Sequence, residues 1–253
     1  EIVEKSSGGK IKVNVFPGGT LGSDQANVSA IQGGTLEMAS MNSGIFAAQV
    51  KEFAIFDFPF MFGSGKEADA AVDGAFGKKL HAKLADKGII GLGYYELGFR
   101  NITNSKKAIN TVEDIAGLKL RVIPNAINVD WVKAVGANPT PMAFPEVYAG
   151  MEQKAIDGQE NPLPVIISAK FDQVQKHLSL TGHVYSPCIF LMNKASFDKL
   201  SAADKQAFID AAKEGTKANR ARVDEDDAKG VADLRAKGMT VVDNPDKAKF
   251  VAA

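Results

Sequence analysis

Two arginines lie at or just beyond the ends of predicted apolar strands. Arg100 follows the run Ile89 to Glu96, and Arg121 lies in the run Leu118 to Ile123. In open α/β sheets, ligands bind outside the carboxyl ends of the strands. A guanidinium in such a place needs a planar anionic partner, and a carboxylate meets its donors with two parallel hydrogen bonds. The residues alone leave two interpretations open: a ligand carboxylate, or an internal salt bridge with an Asp or Glu of the protein.

Two further side chains can act at the same edge of the sheet. Asn161 ends a predicted strand and precedes Pro162, which would present its amide there, although an Asn-Pro turn explains the same dipeptide. Phe144 precedes Pro145 and is either a wall on which a ligand stacks or a residue of the core. Residue types and spacing therefore indicate an anion-binding α/β protein and nothing more specific.

Patterns typical of enzymes are weak in this chain. Cys188 lies in an apolar strand, which predicts a buried, inert thiol. The run Gly91 to Gly98 has its third glycine misplaced for a dinucleotide loop, and Asp224 to Asp227 is typical of a solvated helix face. The histidines show no metal-ligand spacing: His81, His177 and His183. We therefore expect no catalytic residue, no metal and no cofactor, and we do not expect an enzyme.

Size, composition and charge restrict the function classes further. The chain has 253 residues, of which 45% are hydrophobic and 24% charged, as in ordinary globular proteins. Lys+Arg and Asp+Glu both total 30, so the positive charge of a general nucleic-acid binder is missing. One cysteine excludes an intrachain disulfide. The first residues show no signal-peptide pattern, which is also what a processed chain looks like, so export stays open.

Alternating hydrophobicity and capping residues predict the order of the elements. Strands are predicted at Lys10 to Phe16, Leu36 to Met41, Ile89 to Glu96, Leu118 to Ile123, Lys154 to Gln159, in two runs of His177 to Met192 broken at Ser186-Pro187, and at Met239 to Val242. Helices are predicted after Ser23, over Ala68 to Leu84, through Trp131, from Pro145, and from Ser201 to about Lys237. Such alternation is typical of βαβ units, hence of largely parallel sheets covered by helices on both faces.

Three motifs in this order resemble the signature of the solute-binding proteins of TRAP (tripartite ATP-independent periplasmic) transporters. They are Gly117 to Val122, Gly136 to Tyr148 and Ala155 to Pro162. The similarity also covers Lys10 to Phe16 and Gly33 to Met41, and so nearly the whole chain. Because three separate motifs agree in order and interval, the resemblance is specific.

The resemblance implies an α/β fold shaped as a two-lobed, periplasmic-binding-protein-like clamp. Its sheets would be mixed and mostly parallel, with strands crossing between the lobes. The first lobe would comprise residues 1–98 plus 187–226, and the second 99–186 plus 227–253. Family members usually begin with a strand and helix before Lys10 and carry more helix at the end, so we expect both ends to be truncated here.

The resemblance also implies the contacts to the carboxylate end of a ligand. Arg121 matches the family's principal clamp and Arg100 a second contact. Asn161 matches the asparagine of the third motif, and Phe144 matches the aromatic wall of the pocket.

Other matching positions would contact the far end of the ligand. Asp24 and Asn42 belong to the first lobe, and Tyr185 is a further candidate on the strand that approaches the return crossing. Asn42 stands where sialic-acid-binding relatives have Glu, so that substrate is not expected. Polar groups opposite the arginines favour a sugar acid such as a uronate or aldonate, with a C4-dicarboxylate or another small carboxylate as the alternative.

The function implied is that of a periplasmic receptor. It would capture an organic acid as a monomer, close around it, and deliver it to the small and large integral-membrane TRAP subunits, with no role for nucleic acid. An enzyme on a doubly wound α/β fold is the alternative from another class, and it should show a phosphate loop or an acid/base pair. A ligand-free interaction domain would not need arginines at apolar strand ends.

Overall fold

The computed structural model describes all 253 residues as a mixture of helices and short strands. The α-helices are α1 (Ile2–Ser6), α2 (Asp24–Gly33), α3 (Gly65–Asp73), α4 (Ala75–Ala85), α5 (Ala126–Ala134), α6 (Val147–Glu152), α7 (Leu163–Ser168), α8 (Lys194–Asp198), α9 (Ala202–Ala236) and α10 (Lys247–Ala252). The strands are β1 (Met38–Asn42), β2 (Ile89–Phe99), β3 (Asn101–Asn104), β4 (Lys119–Val122), β5 (Asn138–Pro141), β6 (Gly158–Asn161), β7 (His177–Ser179), β8 (Tyr185–Asn193) and β9 (Thr240–Val242). Short 3₁₀ segments cover Ser43–Ala48, Lys51–Asp57, Val112–Ile115, Phe144–Glu146 and Phe171–Gln173.

The strands form two separate sheets, one for each lobe. The first lobe holds the antiparallel sheet β1-β8-β2, and the second holds the mixed sheet β5-β4-β6-β3-β7-β9. In the second sheet β4 runs parallel to both β5 and β6, whereas β3 runs antiparallel to β6 and β7. Arg100 alone separates β2 from β3, and residues 180–184 separate β7 from β8. The strands therefore carry the chain between the lobes at two places, and α9 makes a third crossing on its way to β9.

Each lobe has a hydrophobic core of its own. The first-lobe core includes Phe46, Phe53 and Ile89, which are contributed by the 3₁₀ segments and β2. The second lobe has two clusters, one around Leu120 on β4 and one around Leu178 on β7. The buried residues of each cluster therefore come from one lobe, although Phe60 of the first lobe packs against the cluster around Leu120.

Helix α9 is attached to both lobes. In the first lobe, Asn219 accepts a hydrogen bond from the backbone N–H of Glu96 (2.6 Å) and donates one to its carbonyl oxygen (3.1 Å). In the second lobe, Gly230 lies so close to α7 that a Cβ there would come within 3.3 Å of the Leu163 side chain. The 35-residue helix is therefore a brace across the hinge.

The helix starts predicted at Ser23 and Ser201, and the helix end predicted at Gly33-Gly34, are confirmed. Ser23 caps α2 with a hydrogen bond from Ala26 (3.3 Å), and Gly34 ends that helix at φ +76°. Ser201 caps α9 in the same way, with a hydrogen bond from the N–H of Asp204 (3.1 Å). These signals depend on neighbouring residues only, which is why they can be recognised in the sequence.

The strand predicted at Lys10 to Phe16 is wrong. The segment has an extended, irregular course, and no backbone hydrogen bond joins residues 12–16 to another strand. Val13, Val15 and Phe16 are exposed. Alternation predicts a half-buried face, but a strand also requires a partner for its N–H and C=O groups.

Two other local predictions need correction. The helix expected over Ala68 to Leu84 is divided into α3 and α4 by Gly74, which has an extended backbone (φ −78°, ψ −165°). The break expected at Ser186-Pro187 is absent, because β8 continues through both residues. Pro187 lies opposite Glu96 beside a shift in register, and the N–H and C=O of Glu96 already bond to Asn219. The missing N–H of proline therefore costs the sheet no hydrogen bond.

The first sheet also differs from the βαβ pattern that the sequence predicts. Its strands β1, β2 and β8 pair antiparallel, because β8 returns from the second lobe instead of following a crossover helix. The boundaries predicted for the lobes, 1–98 plus 187–226 and 99–186 plus 227–253, stay a prediction.

Candidate ligand-binding site

Arg121 is a buried cation that has no acid of the protein as its partner. Its side chain lies on β4 and is 3% exposed. The Nε atom donates to the carbonyl oxygen of Met142 (2.9 Å), and no carboxylate lies within 4.0 Å of the guanidinium. Burial, together with the nearby charge of Arg100, lowers the pKa of Arg121 to about 10, so it remains charged at neutral pH. Its two terminal nitrogens therefore remain available for a planar anion.

Arg100, in contrast, is paired with an acid of the protein. It is 1% exposed, and its Nε and Nη2 atoms both bond to the carboxylate of Glu160, the second at 2.7 Å. Its Nη1 atom donates to the hydroxyl of Ser186 (3.0 Å). Of the two interpretations that the sequence leaves open, the internal salt bridge therefore applies to Arg100. A direct ligand contact from Arg100 stays a prediction.

Glu160 keeps its negative charge although it is fully buried. Burial raises the pKa of this carboxyl, but the charge of Arg100 and the hydrogen bond with His183 outweigh it and hold the pKa at about 2. The Nε2 atom of His183 lies 3.2 Å from Glu160 Oε2, and its Nδ1 atom lies 2.8 Å from the Thr181 hydroxyl. Arg100 and Glu160 form an ion pair, which leaves Arg121 as the cation that has no carboxylate in contact.

Asn161 and Phe144 lie close to Arg121. Gln159 on β6 pairs in register with Arg121, and Asn161 lies two residues further on the same face, where its Nδ2 donates to Gln159 Oε1 (2.6 Å). The Arg121 guanidinium carbon lies 5.9 Å from the centre of the Phe144 ring. The other side of that ring faces the core, with Phe171 at 6.1 Å. Phe144 therefore packs against the core on one side, and its role as a wall for a ligand stays a prediction.

Asp24 and Asn42 belong to the first lobe, and no hydrogen bond or ion pair joins either of them to Arg121. Burial raises the pKa of Asp24, and the charge of Arg121 acts against that rise, so the two groups are within electrostatic reach of each other. Asn42 ends β1, and its Oδ1 accepts a hydrogen bond from the N–H of Gly44 (2.8 Å). This fixes the orientation of the Asn42 amide and leaves its Nδ2 donor without a protein partner.

The lobes touch beside this group of residues. A Cβ on Gly19, in the loop before α2, would come within 2.9 Å of the Pro145 ring, next to Phe144. Gly19 has φ +74°, a conformation that favours glycine. This loop and the segment at Pro145 are therefore in close contact.

Tyr185 is not brought together with the other predicted contacts. Its hydroxyl donates to Asp69 on α3 (3.0 Å), and its ring packs against Phe62 and Phe99. Burial raises the pKa of this phenol, so it stays a donor to Asp69. A ligand contact from Tyr185 stays a prediction that this geometry does not favour.

The whole chain matches one known family. A family model described as bacterial extracellular solute-binding protein, family 7 (DctP), covers residues 1–253. The chain belongs to this family. The predicted resemblance to TRAP solute-binding proteins and the two-lobed α/β fold are therefore confirmed.

Relatives of this DctP-family protein include proteins that are named for a sugar acid or were solved with one bound. The 2,3-diketo-L-gulonate-binding periplasmic protein YiaO of Escherichia coli is 40% identical over 250 residues, which are 99% of this chain and 76% of YiaO. A TRAP periplasmic solute-binding protein from Polaromonas sp. JS666, solved with D-erythronate, superposes with a TM-score of 0.97 at 44% identity, covering 99% of this chain and 83% of that one. The sugar acid-binding protein DctPAm from Advenella mimigardefordensis, in complex with galactonate, gives 0.97 at 39% identity, with 99% and 82% covered.

Two polar residues of this DctP-family site were not predicted from the sequence. Glu160 stands beside Asn161 in the third motif, and His183 precedes β8. The only sequence signal for Glu160 is an acidic side chain in a strand that leads to the same edge as the arginines. His183 has no comparable signal, because its role depends on the approach of β6 in the fold.

Proposed function

We propose that this chain is a periplasmic receptor, not an enzyme, which captures a sugar acid with one carboxylate, of the uronate or aldonate type. In this proposal Arg121 binds the carboxylate through its two terminal nitrogens, with help from Asn161 and with Phe144 as the wall. Asp24 and Asn42 receive the hydroxyl groups from the opposite lobe.

The observation that carries the proposal is the buried Arg121 side chain without an acidic partner. A charge-assisted hydrogen bond contributes about 1.5 to 3 kcal/mol. Two of them from one fork therefore supply much of the roughly 8 kcal/mol that micromolar binding requires. Asp24 and Glu160 act on Arg121 only through space, so a neutral ligand would leave its terminal nitrogens without an acidic partner in contact, which favours an anion.

The charges of the site support one carboxylate in the ligand over two. Arg100 is already neutralised by Glu160, so Arg121 is the charge that remains for an anion. A C4-dicarboxylate would bring its second carboxylate toward Asp24, where like charges repel. Hydroxyl groups can instead donate to Asp24 and accept from the Nδ2 of Asn42.

An enzymatic function is not supported by the groups near the cleft. The thiol of Cys188 is buried beside Ser40, and burial raises its pKa to about 12, so it is not a nucleophile at neutral pH. No bond of the ligand has to change for the proposed role.

Delivery of the ligand to the membrane subunits follows from closure of the two lobes around it. Arg121 and Asn161 belong to the second lobe, whereas Asp24 and Asn42 belong to the first, so a ligand that touches all four binds the closed form better than the open form. We propose that the closed monomer is what the small and large membrane subunits of a TRAP transporter recognise. The family, and a relative whose name places it in the periplasm, support this part of the proposal.

Calorimetry with a panel of acids tests the proposal. D-Erythronate, D-galactonate and D-glucuronate represent the sugar acids, and succinate and L-malate represent the dicarboxylates. We expect at least one sugar acid to bind with a Kd of about micromolar or below, and the dicarboxylates to bind more weakly. Tighter binding of a dicarboxylate, or heat from none of the sugar acids, would reject the proposed ligand class.

A further inference from the structure

A second buried carboxylate lies between the lobes, outside the proposed ligand contacts. Asp57 ends the 3₁₀ segment Lys51–Asp57 of the first lobe and is 3% exposed. Its Oδ2 accepts a hydrogen bond from Asn125 Nδ2 and its Oδ1 one from Asn128 Nδ2, each at 3.1 Å. Both asparagines belong to the start of α5 in the second lobe. All side-chain hydrogen bonds that this carboxylate receives therefore come from the opposite lobe.

The two amides are held in the orientation that Asp57 requires. Asn125 Oδ1 accepts from the backbone N–H and from the Nδ2 of Asn128, at 2.9 and 3.0 Å. Asn128 Oδ1 accepts from the indole Nε1 of Trp131 (3.1 Å). Because both amide oxygens are occupied, both NH₂ groups remain directed at the carboxylate. The second lobe thus presents a preorganised pair of donors.

The same carboxylate is close in sequence and space to both halves of the proposed site. Asn125 follows Arg121 by four residues, at the end of the strand that holds the guanidinium. On the other side, a Cβ on Gly44 would overlap with the Asp57 carboxylate, and the N–H of Gly44 is the donor that orients Asn42. A change in the separation of Asp57 and α5 therefore changes the separation of Arg121 and Asn42.

We propose that Asp57 is a positioning residue for ligand capture: with Asn125 and Asn128 it forms a tie that holds the lobes at the separation at which both walls reach one ligand. This inference rests on the proposed function. The tie contributes to affinity without touching the ligand, because each hydrogen bond to the carboxylate forms only when the lobes are together. Because both donors lie at the start of α5 and their orientation is fixed, the contact specifies one separation of the lobes.

A set of charge exchanges, measured as Kd for galactonate or whichever sugar acid binds the wild type, tests the tie. D57N retains the volume but places an amide against two amide donors, and N128D places two carboxylates face to face. We expect each to raise Kd at least about tenfold. The double variant D57N/N128D should bind several-fold more tightly than N128D, because the new amide at 57 can donate to the new carboxylate at 128. The matched control is D130N, on the exposed face of α5.

The outcomes distinguish a failure of the proposed function from a failure of the proposed tie. If the wild type binds none of the sugar acids, the proposed function is wrong. If the wild type binds and D57N equals D130N, or the double variant is no better than N128D, the tie is refuted. A merely structural contact would lower the melting temperature and leave the Kd of the folded protein unchanged. If D57N does not fold, N128A, which retains Asp57 and Asn125, must still weaken binding for the proposal to stand.

Discussion

Replacing Arg121 by lysine keeps the positive charge of the cleft and removes the fork that a carboxylate would meet. In the structure, the Nε of Arg121 is used by Met142, and the two terminal nitrogens have no protein acceptor. A lysine ammonium can make one strong bond to a carboxylate oxygen, but it cannot bond to both oxygens in parallel while also holding Met142. The R121K variant therefore loses one charge-assisted hydrogen bond, and R121A loses two.

The number of charge-assisted hydrogen bonds lost in each variant sets the expected increase in Kd. At about 1.5 to 3 kcal/mol for each charge-assisted hydrogen bond, R121K should raise the Kd for the cognate sugar acid by about 10- to 150-fold. R121A should raise it by about 100-fold or more on the same basis. Isothermal titration calorimetry measures both, and urea unfolding measures whether the fold is retained.

The control for this prediction is a lysine exchange at an exposed arginine. Arg222, which pairs with Asp226 on the surface of α9, is suitable, and R222K should bind like the wild type. If R121K also binds within about twofold of the wild type, the two-bond contact does not exist, whatever R121A does. If R121A binds normally, Arg121 does not hold the carboxylate at all.

Three further predictions follow from the cleft and its surroundings. Burial raises the pKa of Asp57 to about 6 against its hydrogen bonds with Asn128 and Asn125 and the charge of Arg100, while Glu160 adds to the rise. The contribution of Asp57 to stability therefore falls as the pH rises from about 4 to about 6; in urea unfolding the change over this range should be about 3 kcal/mol less favourable for the wild type than for D57N, and an equal change in both would contradict the assignment. G19A should weaken sugar-acid binding more than G18A, because both positions have positive φ (+74° and +71°) but only the Cβ at 19 meets Pro145; equal effects would show that the loop contact is irrelevant to closure. E160Q should lower the free energy of unfolding by about 3 to 5 kcal/mol, since it leaves Arg100 buried without its carboxylate, and an unchanged urea midpoint would contradict this.

The helices could be predicted because their signals are local. Ser23 and Ser201 each bond to a residue three positions ahead, and Gly34 ends its helix through its own φ angle. The segment Lys10 to Phe16 shows the limit of such patterns. Its alternation is that of a strand, but pairing depends on what lies beside it, and periodicity carries no information on that.

In the candidate site, the pairing of side chains likewise depends on parts of the chain that are distant in the sequence. Arg100 and Arg121 have similar surroundings in the sequence, and the sequence does not tell which of them is paired. The difference is made by Glu160, which lies 60 residues from Arg100 and reaches it only because β3 pairs with β6. The Asp57 contact was not predicted at all, since Asn128 lies 71 residues away and looks like an ordinary helix residue.

The number of residues of α9 between its attachments at Asn219 and Gly230 cannot change without rotating one attachment relative to the other. At 1.5 Å per residue the 35-residue helix is about 52 Å long, and Asn219 and Gly230 fix its rotation against different halves of the molecule. One residue inserted between them would turn everything downstream by about 100°, so that a larger side chain would replace Gly230 against Leu163. Insertions and deletions in this stretch should therefore be tolerated far less than in the exposed segment Lys12 to Phe16, even though exposed residues between the two anchors, such as Arg222 and Lys229, can be substituted.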